Sequence, residues 1–401
     1  MAAVELAKIA EYTDISHDAR ELLEHPEKQT KLSLSFRTED GVLTRADAFV
    51  VYYNTARGPA KGGIRMWPDV TMKETTELAE LMAWKTALMG VPFGGGKAGI
   101  RLDPGRFNRQ QKAELIREFV HITRSELESG AYIPAPDMGT SEFEMAVIFG
   151  EMHILECVTG KPPRVGGLPG RREATGRSLS TCLMSAAEEL LGIQPSRLTA
   201  AVQGFGNVGG WTAKFLCDAG CKVVAISNIT GAVRRKNGLP VDDLLAWVAQ
   251  GKQLNDFPDA DRISREELLE QPVDVLVPAA VGHVFTADVA RRVKARMIVE
   301  GANGPTRPDG DAVFEKKGIP VIPDILANSG GVIASYIEWR QAKSGSLTPK
   351  SETFDTLDSL IRDGLQRVIE GSKRMKCTYR TAALVLAVEE VVKSMRDRGW
   401  F

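Results

Sequence analysis

The chain has 401 residues, 51 Lys plus Arg against 52 Asp plus Glu, a formal charge of −1 and 43% hydrophobic residues. That length exceeds one ordinary core, since domains cluster near about 100–150 residues, so two domains are expected, with three as the alternative. Without a basic surplus to neutralise phosphates no nucleic-acid partner is expected. With no apolar run near the ~18 residues of a spanning helix, and with acids mixed into the opening MAAVELAKIAEYTDISHD, neither a membrane partner nor a leader is expected.

In chain order, residues 1 to about 30 carry a helical period through Val4, Ile9, Leu22 and Leu23. LSLSF at 32–36 and ADAFVVYYN at 46–54 alternate and are rich in aromatic and β-branched residues, with EDG between them, which predicts a hairpin or meander. The glycine and lysine segment GPAKGGIR follows at 58–65. Thr71 and Glu74 have capping-box spacing and open a helix through LAELMAWKTALMG. From LTAAVQGF onward, short apolar segments alternate with helical ones: CKVVAISN, VDVLVPAA, RMIVEGAN and IPVIPDIL. That rhythm predicts a parallel sheet covered on both faces. From about Ser335 the pattern is helical to the end.

The cysteines at 157, 182, 217, 221 and 377 show no metal-knuckle spacing, and no two of the five histidines stand i, i+3 or i+4 apart. A reduced, cytoplasmic protein without a metal site is expected.

QGFGNVGG places Gly204, Gly206 and Gly209 in G-x-G-x-x-G spacing after an apolar strand and at a helix start. A tight turn at the first glycine, close backbone approach at the second and helix packing at the third would seat a pyrophosphate on the helix N-terminus. A bare strand-to-helix turn is the alternative. The ribose-binding position about 20 residues on is Asn228, which leaves NAD and NADP both open. Arg234, Arg235 and Lys236 either meet a 2′-phosphate or are simply solvated.

Lys61, Lys85 and Lys97 lie among glycines and apolar residues. Each alone reads as a snorkelling side chain. Together they suggest a pocket for a carboxylate-bearing substrate, with a lowered lysine pKa suited to proton transfer. Asp137 in PAPDMGT is a turn residue, a helix cap or, beside such a pocket, a proton carrier.

These segments, with GRREATGRS, VEGANGPT and PDILANSGGVIASYIEW, resemble the family of glutamate, leucine, phenylalanine and valine dehydrogenases, and within it the hexameric glutamate dehydrogenase branch, over residues 28 to 341. The resemblance implies an α/β fold in which an N-terminal α/β substrate-binding and oligomerisation domain (1–180, with C-terminal helices 336–401 returning to it) accompanies a doubly wound Rossmann-type dinucleotide-binding domain (181–335). It implies Lys97 as the catalytic lysine and Asp137 as its proton-transfer partner. Lys61 would bind the substrate side-chain carboxylate with Ser335, and Lys85 the α-carboxylate, in a pocket shaped by Ala135, Thr175 and Val332. Thr175 and Asn207 would touch a nicotinamide cofactor, NAD or NADP, with Gly204, Gly206, Val208, Gly209 and Asn228 beside it. Lys61 favours a second carboxylate, hence glutamate, 2-oxoglutarate and ammonium as substrates of a homohexamer, with closure of the two domains bringing hydride donor and acceptor together. Met66 and Trp67 depart from the usual glutamate-enzyme residues, so an apolar amino-acid dehydrogenase is one alternative. A regulatory subunit of a mixed glutamate dehydrogenase oligomer is the other.

Overall fold

A computed structural model describes residues 6–38 and 41–401. Contacts group the chain into two compact units, Met1–Arg171 with Val332–Thr353 and Leu384–Phe401, and Arg172–Gly331 with Phe354–Ala383. Among the described residues no helix is long and apolar enough to cross a membrane.

In the first unit the single N-terminal helix expected from the period is two short ones, Leu6–Ile9 and His17–Glu24, and Val4 lies outside the described residues. The second starts afresh because the Ser16 hydroxyl accepts from Ala19 N at 3.2 Å, capping it. Strands β1 (Lys28–Arg37) and β2 (Leu43–Asn54) form the expected antiparallel pair; Glu39 and Asp40 of its turn lie outside the described residues. With β3 (Ala60–Trp67), β4 (Gly94–Arg101) and β5 (Tyr132–Pro136) they make a sheet of order β1-β2-β4-β3-β5, in which β3 runs parallel to both neighbours.

Successive side chains of a strand point to opposite faces, and this sheet uses the rule to separate two chemistries. Even-numbered residues, Leu34, Phe36, Val50, Ile64, Met66, Ala98 and Ile100, enter one apolar cluster with Ile116, Phe119, Met145 and Ile148 from the helices Arg109–Ile122 and Glu142–Met152. Odd-numbered Lys61, Gly95, Lys97 and Ala135 fall on the other face. The helix Met72–Leu88 lies so close there that a Cβ on Gly95 would sit 2.4 Å from the Ala79 carbonyl oxygen. Its start is half a capping box: Thr71 Oγ1 accepts from Glu74 N at 3.1 Å, but the Glu74 carboxylate turns away to Arg65 at 2.6 Å.

In the second unit, β6 (Thr199–Gln203), β7 (Lys222–Asn228), β10 (Val275–Pro278), β11 (Met297–Val299) and β12 (Val321–Ile322) are parallel. Strands β8 (Gly231–Arg234) and β9 (Asp261–Ile263) extend the edge antiparallel, giving β12-β11-β10-β6-β7-β8-β9. The chain leaves β6 toward β7 and later returns on the other side at β10, so the order reverses at the carboxyl end of β6, where open α/β sheets bind ligands. Residues 172–180 group here because the helix Ala174–Leu191 runs unbroken through the sequence-based boundary at 180.

The C-terminal helices rejoin the first unit over Val332–Thr353 and Leu384–Phe401, while 354–383 stay with the second. Two anchors explain this. The Arg177 guanidinium donates to Asp358 at 3.0 and 2.5 Å and lies 5.2 and 5.4 Å from the Phe215 and Phe354 rings. Arg380 donates to the fully buried Glu300 at 3.0 and 2.8 Å and to Asp311 at 2.8 Å. Removing one partner of a buried pair strands the other's charge. Arg380→Met is therefore expected to destabilise the fold by about 3 kcal/mol, checked by urea unfolding; an unchanged midpoint would rule out the anchor.

Candidate functional site

In the first unit, glycines on the odd face bring charged side chains close to backbone. Lys97 on β4 is 5% exposed and forms a short ion pair with Asp137, which follows directly on β5. The loop after β5 is tied to β3: Met66 N donates to Met138 O at 2.8 Å, and Thr140 Oγ1 donates to Ile64 O at 2.7 Å. Gly139 at φ +81 is required there, since a Cβ would lie 2.0 Å from Met66 O. Asp137 is therefore a turn residue with a charged partner. It is no helix cap, because Ser141 caps the helix Glu142–Met152 in a reciprocal box with Glu144.

The Asp137 carboxyl sits among opposing influences. Burial would raise its pKa, but the Lys97 ammonium, the Arg65 guanidinium at 3.4 Å, and hydrogen bonds from Lys97 and Met138 N outweigh this and hold it at about 2. Arg65 is shared with Glu74 at 2.6 Å.

Lys61 on β3 is 1% exposed, and its pKa is pushed well below the usual lysine value. Burial is the main cause, Arg171, Lys97 and Lys161 add to it, and the Glu338 carboxylate opposes it. Lys85 is buried in the last turn of its helix, and Ala135 is buried on β5. Val332 and Ser335, both buried, stand one turn apart on the helix Gly330–Ser344. Thr159 Oγ1 donates to Ser335 Oγ at 3.1 Å.

The remaining sequence-derived residues belong to the second unit. Thr175 opens the helix Ala174–Leu191 and accepts from Ser178 Oγ at 2.9 Å through its carbonyl. Gly204 has φ +98 in the turn after β6, and a Cβ on Gly209 would lie 1.9 Å from Gly204 O. A Cβ on Gly206 would meet nothing within 4 Å, and the helix Asn207–Asp218 that follows it has no side-chain cap. Gly206, Asn207 and Val208 thus offer open amides to an anion, while the Asn207 carboxamide donates to Arg172 O at 3.0 Å. The residues fit a dinucleotide.

Asn228 ends β7, and its Oδ1 accepts from Thr230 N at 2.8 Å and Thr230 Oγ1 at 2.7 Å. The basic triplet after it does not reach the cofactor end of the sheet. β8 doubles back on β7, pairing Asn228 with Gly231 but Ala225 with Arg234, and Arg235 N donates to Val224 O at 2.8 Å. The register carries Arg234, Arg235 and Lys236 back toward the start of β7, which removes the 2′-phosphate role open to them on sequence alone.

Sequence reading missed Arg65, Thr159, Lys161, Arg171 and Glu338. One signal was present for the last: Glu338 lies three residues after Ser335, on the same helical face. Among the described residues no group of three or more His, Cys, Asp or Glu could hold a metal.

Residues 26–154 match the family model of the Glu/Leu/Phe/Val dehydrogenase dimerisation domain, and residues 166–399 that of Glutamate/Leucine/Phenylalanine/Valine dehydrogenase. The chain is 39% identical to the glutamate dehydrogenase of Thermotoga maritima over 100% of its own length and 97% of that protein's. It is 38% identical to the NADP-specific glutamate dehydrogenase of Saccharolobus shibatae, covering 98% and 95%. Among solved structures, the hetero-hexameric glutamate dehydrogenase of Thermus thermophilus in a Leu-bound form superposes with a TM-score of 0.92 at 31% identity, covering 99% of this chain and 95% of that one. On matches that run along nearly the whole sequence, the chain belongs to the Glutamate/Leucine/Phenylalanine/Valine dehydrogenase family.

Proposed function

We propose that the protein catalyses the reversible NAD(P)-dependent oxidative deamination of L-glutamate to 2-oxoglutarate and ammonia. The observation that carries the substrate choice is Lys61: an ammonium buried at 1% exposure among other cations is costly unless an anion meets it, and a second substrate carboxylate is such an anion. An apolar side chain at that place would leave the charge unanswered. The relatives named glutamate dehydrogenase support the same reading.

In this reading Lys61 and Ser335 hold the side-chain carboxylate, Lys85 the α-carboxylate, and Ala135 and Val332 bound the carbon chain. Thr175, Gly204, Gly206, Asn207, Val208, Gly209 and Asn228 hold the cofactor, which supplies the acceptor for the substrate's hydride. Domain roles follow: the first unit carries substrate and oligomer contacts, the second the dinucleotide. Lys97 assists attack of water on the substrate's imine carbon, and Asp137 accepts the proton. A carboxyl held at about 2 is ionised at neutral pH but is a weak base while Lys97 is charged, so the pair moves the proton as a unit.

Asn228 brings neither an acid to repel a 2′-phosphate nor a cation to attract one, which supports use of either cofactor. The assembly we propose is a cytoplasmic homohexamer, which shares its subunit number with the hetero-hexameric Thermus relative; light scattering on the purified protein should give six times the chain mass, and a monomer would refute it.

Initial rates for NAD+ and NADP+ against glutamate, leucine, phenylalanine and valine test the function directly, with turnover expected on glutamate; turnover confined to an apolar amino acid would overturn it. Lys97→Ala should lower kcat about a thousandfold and leave cofactor binding, read by fluorescence titration, nearly intact. Undiminished kcat would remove Lys97 from the chemistry. Because the folded pKa of Asp137 lies below its ordinary 3.8, its contribution to stability is full above about 3.8 and is lost as pH falls toward about 2. The gap in unfolding midpoint between wild type and Asp137→Asn should narrow over that interval, and a constant gap would contradict the depressed pKa.

A further inference from the structure

Glu338 is the fully buried charged residue on the helix Gly330–Ser344, and the mechanism leaves it unused. Its carboxylate accepts from Gly160 N at 2.8 Å and Lys161 N at 3.2 Å, and pairs with Lys161 Nζ at 2.8 Å. Lys161 spends further donor capacity on Leu155 O at 2.8 Å and on Val158 O at 2.5 Å. The strap Thr159–Lys161 is also fastened to β5, by Thr159 N donating to Pro134 O at 3.0 Å. One end of this strap, Thr159, is therefore locked to β5 and also reaches Ser335 Oγ at 3.1 Å, while the other, Gly160–Lys161, is locked to the helix by Glu338.

We propose that Glu338 is a positioning residue that sets selectivity for a dicarboxylic substrate: it clamps the strap so that the Thr159 and Ser335 hydroxyls stay paired beside Lys61, and it supplies negative charge facing that lysine. The proposal rests on the reading of Lys61 and Ser335 as the receptor of the side-chain carboxylate.

The clamp acts in two separable ways. The first is geometric. Two amide hydrogen bonds and an ion pair, all shielded from water, fix a loop far more firmly than the same contacts at the surface. Shortening the carboxylate's reach would free the strap and let the two hydroxyls part. The second is electrostatic. Lys61 faces Arg171, Lys97 and Lys161, all cationic, and Glu338, which opposes them. Arg171 has its Nε buried without a hydrogen-bond partner, so this cluster is rich in positive charge that protein acceptors do not fully meet. Deleting the Glu338 charge would lower the Lys61 pKa further and uncharge the receptor at a lower pH.

Two variants of the full-length protein separate these effects, with Lys61→Leu as comparator. The readout is reductive amination of 2-oxoglutarate against the monocarboxylate 2-oxopentanoate, each as kcat/KM across pH. Glu338→Gln should lower the 2-oxoglutarate to 2-oxopentanoate ratio about tenfold, mainly through KM, and move the alkaline limb of the 2-oxoglutarate profile to lower pH. Glu338→Asp keeps the charge, and with it the fold if the glutamine variant does not accumulate. It should lower the ratio by about threefold while keeping the wild-type alkaline limb. A ratio unchanged in Glu338→Asp, or in folded Glu338→Gln, overturns the proposal. If Lys61→Leu collapses the ratio while the Glu338 variants leave it alone, the clamp fails and the receptor stands. If Lys61→Leu also leaves it alone, the receptor itself is misassigned, and the clamp falls with it.

Discussion

Burying an ammonium group is the constraint around which the first unit is arranged. Water solvates such a group strongly, so Lys61, Lys97 and Lys161 persist in the interior only where carboxylates or carbonyl oxygens replace that water. The surrounding chain can be read as the means of supplying those replacements. Asp137 answers Lys97, Glu338 and two carbonyls answer Lys161, and Lys61, with Glu338 as a more distant counter-charge, is left with capacity for an incoming anion. The same need sets the backbone. Glycines at 63 and 95 remove side chains that would otherwise fill the space on the lysine face, and at Gly63 a Cβ would lie 2.7 Å from that of Asp137. The second unit shows the complementary case, in which Glu300 is a buried anion held by Arg380, Thr306 Oγ1 and Asp324 N.

What the sequence alone discloses follows from how local each signal is. The turn QGFGNVGG is legible because the reasons for its glycines lie within one strand and one helix, and the φ of Gly204 and the crowding at Gly209 bear that out. The three lysines stand out because charge is unusual amid glycine and apolar residues. By contrast, the partnership of Glu338 with Gly160 and Lys161 spans about 180 positions, and no periodicity reports it. Arg65 was hidden for another reason. Its acid Glu74 fits a local capping box on paper, and only the fold shows that a cation outbids the Thr71 amide for its carboxylate. The basic run at 234–236 misleads because position along a strand, not distance in sequence, decides whether a side chain reaches the cofactor end.

Strand β7 turning back as β8 also bears on cofactor recognition. The tight return through Ile229 and Thr230 leaves the Asn228 carboxamide oxygen engaged with its own turn, and the side chain brings no net charge to this position. Ile229 at the tip is 90% exposed, an unusual place for an aliphatic side chain in the free protein.

The alternation along β3 and β4 has a consequence for how such a chain can change over time. Ala60, Ile64, Met66, Ala98 and Ile100, at even positions, are committed to the apolar cluster and the odd positions to the other face, so the two sets can vary independently. A single exchange at an odd position changes the charged face and leaves the core intact. An insertion or deletion of one residue in either strand does the opposite, sending Lys61 or Lys97 into hydrocarbon and Ile64 or Ile100 onto the charged face. The chemistry of the charged face in a sheet of this kind can therefore drift by replacement, while strand length is held fixed.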